Sequence, residues 1–176
     1  MHRFLFLFLL GAFPAGAHAE EAPPASLSTH EAACPEGYTG PSVLVRVTGF
    51  KDREGQLRVE LYPDDPNDFL SPGRALRAAG KVFQRIDVPT PPEGDGEVCV
   101  VVPSAGSYAA AVLHDRNGDG KLNPFNDGYG FPNNPRLGYS KPNVKEAAFS
   151  VGQGRTVIEV VLNYWSGLSA RPLQRK

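Results

Sequence analysis

Val43, Val45 and Val47 alternate with Leu44, Arg46 and Thr48, and Leu57, Val59 and Leu61 alternate with Arg58, Glu60 and Tyr62. Successive side chains of a strand point to opposite faces. A period of two therefore commits these segments to β structure, with one face on a core and the other toward water. Asp52-Arg53-Glu54-Gly55 lies between the runs and reads as a hairpin turn. Strand patterns recur over residues 81–88, 97–102, 107–114, 147–151 and 155–164, separated by turn signals such as Pro91-Pro92-Glu93-Gly94 and Gly152-Gln153-Gly154. Seven short strands with turns between them predict an all-β fold, a β-sandwich. Residues 64–80, broken by Pro66 and Pro72, read as an excursion from the sheet with one or two helical turns at 74–79. No repeat at a fixed period is visible.

The chain opens with Met1-His2-Arg3, an apolar run from Phe4 to Phe13, and the small-x-small triplet Ala17-His18-Ala19 before Glu20-Glu21. This is the pattern of a secretory signal peptide over residues 1–19, cleaved after Ala19. The apolar run is about half the ~20 residues that a bilayer-spanning helix needs, and no second such run follows. A periplasmic or secreted protein is expected, with no membrane span. Residues 20–41 are rich in Ala, Pro, Ser and Glu and read as a flexible arm; residues 42–165 carry the sandwich; residues 166–176 read as a short basic tail, frayed at the end. With 18 Lys and Arg against 19 Asp and Glu, the chain lacks the basic footprint that nucleic acid or an anionic membrane would require. The two cysteines, Cys34 and Cys99, are expected to pair in an oxidising compartment. There is no Cys-x-x-Cys, so a redox role is not indicated.

About thirty residues, 115–145, carry no strand pattern. Loops that long are uncommon in compact domains unless they are functional. Within them Asp115-Arg116-Asn117-Gly118-Asp119-Gly120 fits the opening half of a calcium loop. Side-chain oxygens at alternate positions converge when the chain curls, the sixth-position Gly permits the sharp turn, and a hard cation gathers six to eight oxygens. The expected ligands are Asp115, Asn117, Asp119, the carbonyl of Lys121, Asn123 and Asp127, because Asn126 stands where an EF-hand would place a bidentate Glu. The competing reading is that Asp, Asn and Gly build consecutive turns through Asx interactions and hold no ion. Downstream, Tyr129, Phe131, Asn133, Asn134 and Tyr139 could form a binding platform for a sugar or peptide, or Tyr129 and Phe131 could pack down to anchor the loop. His114 beside Asp115 is the one His–Asp pair available for acid–base work. There is no zinc-type His/Cys cluster, G-x-S-x-G, P-loop or G-x-G-x-x-G.

Several of these pieces together resemble an uncharacterised group of exported bacterial proteins known as domain of unknown function 2141: Val47-Thr48-Gly49-Phe50, Gly55-Gln56-Leu57 through Tyr62, Pro103 with Gly106-Ser107-Tyr108-Ala109, His114-Asp115 through Leu122, Gly128-Tyr129-Gly130-Phe131 and Ala147-Ala148-Phe149. The resemblance spans residues 42–164 and is most specific over 108–134. It implies an immunoglobulin-like or transthyretin-like sandwich and no activity. The family tends to have a longer stretch where this chain has Pro124-Phe125-Asn126-Asp127. The reading that follows is a non-enzymatic module of the cell envelope, with calcium rigidifying the long loop and the aromatics facing an envelope protein or polysaccharide. Its rivals are an envelope hydrolase, with His114 as base and loop carboxylates as orienters or metal ligands, and a purely structural envelope protein with neither ligand nor metal.

Overall fold

The computed structural model describes residues 33–173. The signal segment, most of the arm and the last three residues lie outside them, so those expectations are not addressed by the fold. Among the described residues the chain forms β1 (Ser42–Thr48), β2 (Gln56–Pro63), α1 (Gly73–Ala78), β3 (Gln84–Pro89), β4 (Gly96–Val101), β5 (Gly106–Asp115), β6 (Gly128–Gly130), α2 (Val144–Ala147), β7 (Ala148–Val151), β8 (Arg155–Val161), β9 (Asn163–Ser166) and β10 (Ser169–Pro172).

Two sheets face one another. The smaller has the order β4-β1-β8, with β1 antiparallel to β4 and parallel to β8, so that Val45 sits opposite Val98 on one side and Ile158 on the other. The larger has the order β10-β9-β6-β5-β2-β3. Its spine is β5. One edge of β5 pairs with the whole of β2, while the other takes β7 along Gly106–Ala109 and β6 along Val112–His114. The period-two valines and leucines enter the space between the sheets as their spacing predicts: Val43, Val45, Val47, Leu57, Val59 and Leu61 are all buried in one cluster. Burying such a side chain stabilises by roughly 1.5–3 kcal/mol.

The opposite face of the larger sheet does not meet water along its length. Tyr62, Ala109 and Phe131 lie in a second apolar cluster with Phe69 and Leu76 from the excursion and Leu137, Val144 and Ala147 from the segment before β7. The excursion folds back because its apolar residues have a sheet face to cover. Its helix α1 begins at Gly73, where a Cβ would come within 2.2 Å of the Phe83 ring. Helix α2 starts on a capping box: Asn143 accepts from a backbone N–H inside the helix while Glu146 reaches back to the Asn143 N–H.

Three expectations need correction. The run 155–164 is not one strand. It leaves the smaller sheet after Val161, turns at buried Leu162, and enters the larger sheet as β9. Periodicity cannot show such a sheet switch, because both halves keep their alternation. Second, residues 115–145 are not structureless: they contain β6 and the start of α2. Gly128-Tyr129-Gly130 shows no apolar alternation, yet it pairs through its backbone, and its glycines let neighbours approach closely. A Cβ on Gly128 would lie 2.5 Å from the Tyr164 ring, and one on Gly130 would lie 2.6 Å from the Val161 carbonyl oxygen. Third, the tail is not frayed up to Pro172. Gly167-Leu168 forms a tight turn, with Gly167 at φ 67°, that returns β10 against β9.

Cys34 and Cys99 form a disulfide with a Cα–Cα distance of 5.4 Å. The Cys34 N–H also donates to the Cys99 carbonyl (3.2 Å), and Ala33 bridges Val100. The end of the arm is thereby fastened along β4, the edge strand of the smaller sheet.

Candidate functional site

β5 ends at Asp115 and β6 begins at Gly128, so residues 116–127 leave and rejoin the larger sheet at neighbouring strands. The carboxylates at the two ends of this segment, Asp115 and Asp127, are buried. Asp127 accepts from the Arg116 N–H (3.1 Å) and the Asn123 N–H (2.8 Å), which closes the segment on itself. Asp115 Oδ2 accepts from the Gly120 N–H (2.8 Å) and from Gln56 Nε2 (3.2 Å). Arg58, on β2, donates to the Gly120 carbonyl (2.8 Å) and ties the segment to the sheet. At the exposed tip Asn117 Nδ2 donates to Asp119 (2.9 Å), and the Lys121 N–H donates to the same carboxylate (2.8 Å). The Asn117 amide, then the Lys121 N–H, hold the Asp119 carboxyl below its ordinary value. Asn123 accepts from the Phe125 N–H through its side chain (3.2 Å). Much of the Asp/Asn pattern thus serves turn construction. Among the described residues no three His, Cys, Asp or Glu side chains gather as a metal-holding group.

The segment turns its apolar residues toward the sheet's outer face. Leu122 and Phe125 are exposed, Phe125 at 73%. Together with Tyr129, Leu137, Tyr139 and Trp165 they line a hollow of about 280 Å³. Trp165 stands edge-on to both Phe125 (5.7 Å between ring centres) and Tyr139 (4.9 Å). A second hollow of about 250 Å³ adjoins the first, sharing Leu70, Leu122, Tyr129 and Phe131, and is lined also by Arg58, Glu60 and Arg85. Its charges are paired: Arg58 Nε donates to Asp87 (2.6 Å) and Arg85 Nε to Glu60 (2.7 Å). The two hollows form one groove, aromatic at one end and polar at the other.

Of the expected platform residues, Tyr129 and Phe131 both pack into the second cluster and line the groove, and Tyr139 lines it at 77% exposure. Asn133 and Asn134 do not line it. Asn133 Nδ2 donates to the Glu146 and Ala148 carbonyls, and Asn134 Oδ1 accepts from the Val161 N–H (2.8 Å). Both adopt positive φ, at 62° and 47°, and turn the chain there. Phe125, Trp165 and the Arg58/Glu60/Arg85 set also line the groove and are not among the residues expected from the sequence. An aromatic in a polar loop and a lone tryptophan were the available signals for the first two; β2 and β3 gave none for the charged set, because alternation alone assigns those positions to solvent.

His114 is fully buried. Its Nε2 lies 2.9 Å from the Glu54 carbonyl oxygen, which can only accept, so Nε2 carries the proton. Nδ1 then accepts from the Tyr164 hydroxyl (2.7 Å), and that oxygen accepts from the Lys51 N–H (3.0 Å). The nearest carboxylate oxygen, on Asp52, is 3.9 Å away. The neighbouring Asp115 belongs to the other face of the strand. With both nitrogens engaged and no exposed surface, His114 is not placed to act as a general base on a substrate, which corrects the hydrolase reading at its central residue. Burial pushes the imidazole below its ordinary value and pushes the Tyr164 hydroxyl up to about 12.

A pH dependence follows. The unfolded chain protonates His114 near pH ~6.5 and the folded chain does so lower, so the unfolded state binds more protons in between. Stability is therefore full above about pH 6.5 and falls as pH drops below it, with a slope from this group of up to about 1.4 kcal/mol per pH unit. Denaturant midpoints followed downward from about pH 7.5 are expected to show this slope, and His114→Gln to remove it at a lower overall stability.

The fold and this site define an all-β sandwich whose larger sheet carries a loop-rimmed groove on its outer face. The family model for an uncharacterized protein conserved in bacteria, DUF2141, matches residues 45–159, and the chain belongs to that family. No curated protein and no solved structure matches it.

Proposed function

We propose that this protein is an exported, non-enzymatic binding module of the bacterial envelope, and that its outer-face groove takes a neutral polyhydroxylated chain, a stretch of polysaccharide. The observation that carries the reading is the groove's division of labour. Exposed Tyr139 and Phe125 flank Trp165 at one end, and Arg58, Glu60 and Arg85, each paired with an opposite charge, line the other. Aromatic rings offer flat apolar faces at small conformational-entropy cost, which suits the C–H face of a sugar ring. Arg58 and Arg85 are each neutralised by a carboxylate, so the polar end offers hydrogen bonds without a net field and does not select an anion. Concave sites of a few hundred Å³, mostly apolar with a few fixed polar groups, are the usual form of a ligand site. Placement in the envelope rests on the signal-like residues 1–19 and agrees with the disulfide.

Short neutral oligosaccharides should bind the protein in a glycan array or by calorimetry. Tyr139→Ala should weaken that binding about tenfold (about 1.4 kcal/mol) and leave the melting temperature in place, because an exposed side chain costs little to remove. Unchanged affinity in Tyr139→Ala, or preference for charged over neutral glycans, contradicts the proposal.

A further inference from the structure

Asp115 Oδ1 is buried, belongs to a residue with no exposed surface, and has no hydrogen-bond partner. Such an atom is rare in a folded protein and calls for an occupant, a water or an ion. Its sister oxygen, Oδ2, is already held by the Gly120 N–H and by Gln56, which fixes the carboxyl group against the 116–127 segment. A buried carboxyl oxygen kept from water without a partner is costly unless a donor or a positive charge meets it. The basic side chains nearby do not: Arg116 is engaged by Asp52 and the Asn126 carbonyl, and Arg58 by Asp87 and the Gly120 carbonyl.

We propose that the segment holds one calcium ion, with Asp115 Oδ1 as its innermost ligand. Asn117 and Asp119 follow at alternate positions, the carbonyl of Lys121 comes next, and water completes the shell. Gly118 and Gly120, at φ 68° and 76°, provide the left-handed turns that curl the segment. The set is all oxygen, with one amide and one carbonyl among the carboxylates, which suits a hard cation of flexible geometry and does not suit zinc. It also accounts for the missing His/Cys/Asp/Glu cluster, because half of the protein ligands are of other kinds. With Asp115 and Asp119 as its charged ligands the site is weak, with a Kd on the order of 0.1 mM, in the range of extracellular modules. The ion would fix the wall from which Leu122 and Phe125 reach the groove, but its binding does not depend on what the groove takes.

The test is calorimetric titration of calcium chloride into chelator-treated protein, paired with melting in chelator and in ~1 mM calcium. Asp119 is exposed, so Asp119→Asn is expected to fold and to melt like the wild type in chelator. The expected result is one calcium per chain, a rise in melting temperature of about 3–5 °C that the same concentration of magnesium does not give, and at least tenfold weaker binding in Asp119→Asn. Absence of binding heat and of a melting shift, or a calcium affinity that Asp119→Asn leaves unchanged, overturns the proposal. Neither result bears on sugar binding, which is read separately.

Discussion

Removing the Cys34–Cys99 bond, as the Cys34→Ala/Cys99→Ala pair, is expected to lower stability by about 4 kcal/mol. The two residues are 65 apart in sequence, and closing a loop of that length restricts the unfolded chain by about 4 kcal/mol in chain-entropy terms. The folded state loses something as well. The bond lies on β4, whose Val98 and Val100 are core residues, and it fastens Ala33 and Cys34 along that strand's outer edge. Without it Ala33 and Cys34 keep only the backbone hydrogen bond to Cys99, the bridge to Val100 and their packing along that edge. Typical domains have about 5–15 kcal/mol in total, so the variant should remain folded with little margin. A urea midpoint lowered by about 1.3–4 M checks this, for a slope in the usual range of ~1–3 kcal/mol/M. A loss below about 1 kcal/mol would mean that β4 and its neighbours keep the arm in place without the covalent tie.

Gly55→Ala is expected to cost about 2–5 kcal/mol, and Gly94→Ala only about 1–2. Both glycines adopt the left-handed conformation, with φ of 69° and 66°, so both substitutions carry the same backbone penalty of roughly 1–2 kcal/mol. They differ in surroundings. A Cβ at Gly94 meets nothing within 4 Å, whereas one at Gly55 would lie 2.0 Å from the Asp115 carbonyl oxygen and 2.8 Å from the Arg116 backbone. Backbone cannot swing aside as a side chain can, and overpacking of this kind adds about 1–3 kcal/mol. The clash also falls where the 116–127 segment leaves β5, between Gln56 and Glu54, which bond to Asp115 and His114. Thermal melts of the two variants side by side separate the conformational term from the steric one. Equal losses would mean that the turn between β1 and β2 can shift away from the segment.

The β-sandwich was legible because its core strands are built on alternation. Val43, Val45 and Val47 or Leu57, Val59 and Leu61 announce both the strand and the face it buries. The disulfide was legible from two cysteines and the signal-like pattern of residues 1–19. Other features rest on contacts that no local pattern encodes. The burial of Tyr62 on the face expected to be wet depends on residues 64–83 and 131–147 folding over it. The strand at Gly128–Gly130 is selected by what its neighbours need, which is space for Tyr164 and for the Val161 backbone. For the groove, Tyr129, Phe131 and Tyr139 could be picked from the sequence, whereas Trp165, Phe125 and the Arg58, Glu60 and Arg85 set converge from four separate segments. His114 looked like chemistry because of its neighbour Asp115. Alternation along β5 sends the two side chains to opposite faces, and His114 spends both nitrogens holding Tyr164 and the Glu54 carbonyl.

The account depends most on the groove being a ligand site, and Trp165 gives direct access to it. It is the chain's only tryptophan and lines the aromatic end beside Phe125 and Tyr139. Its fluorescence should be titrated with short neutral oligosaccharides, in the wild type and in Tyr139→Ala. A saturable change in Trp165 emission is expected, shifted by the variant to about tenfold higher ligand concentration. Emission that stays flat while the same glycans bind by calorimetry would place the ligand elsewhere on the sandwich and contradict this expectation.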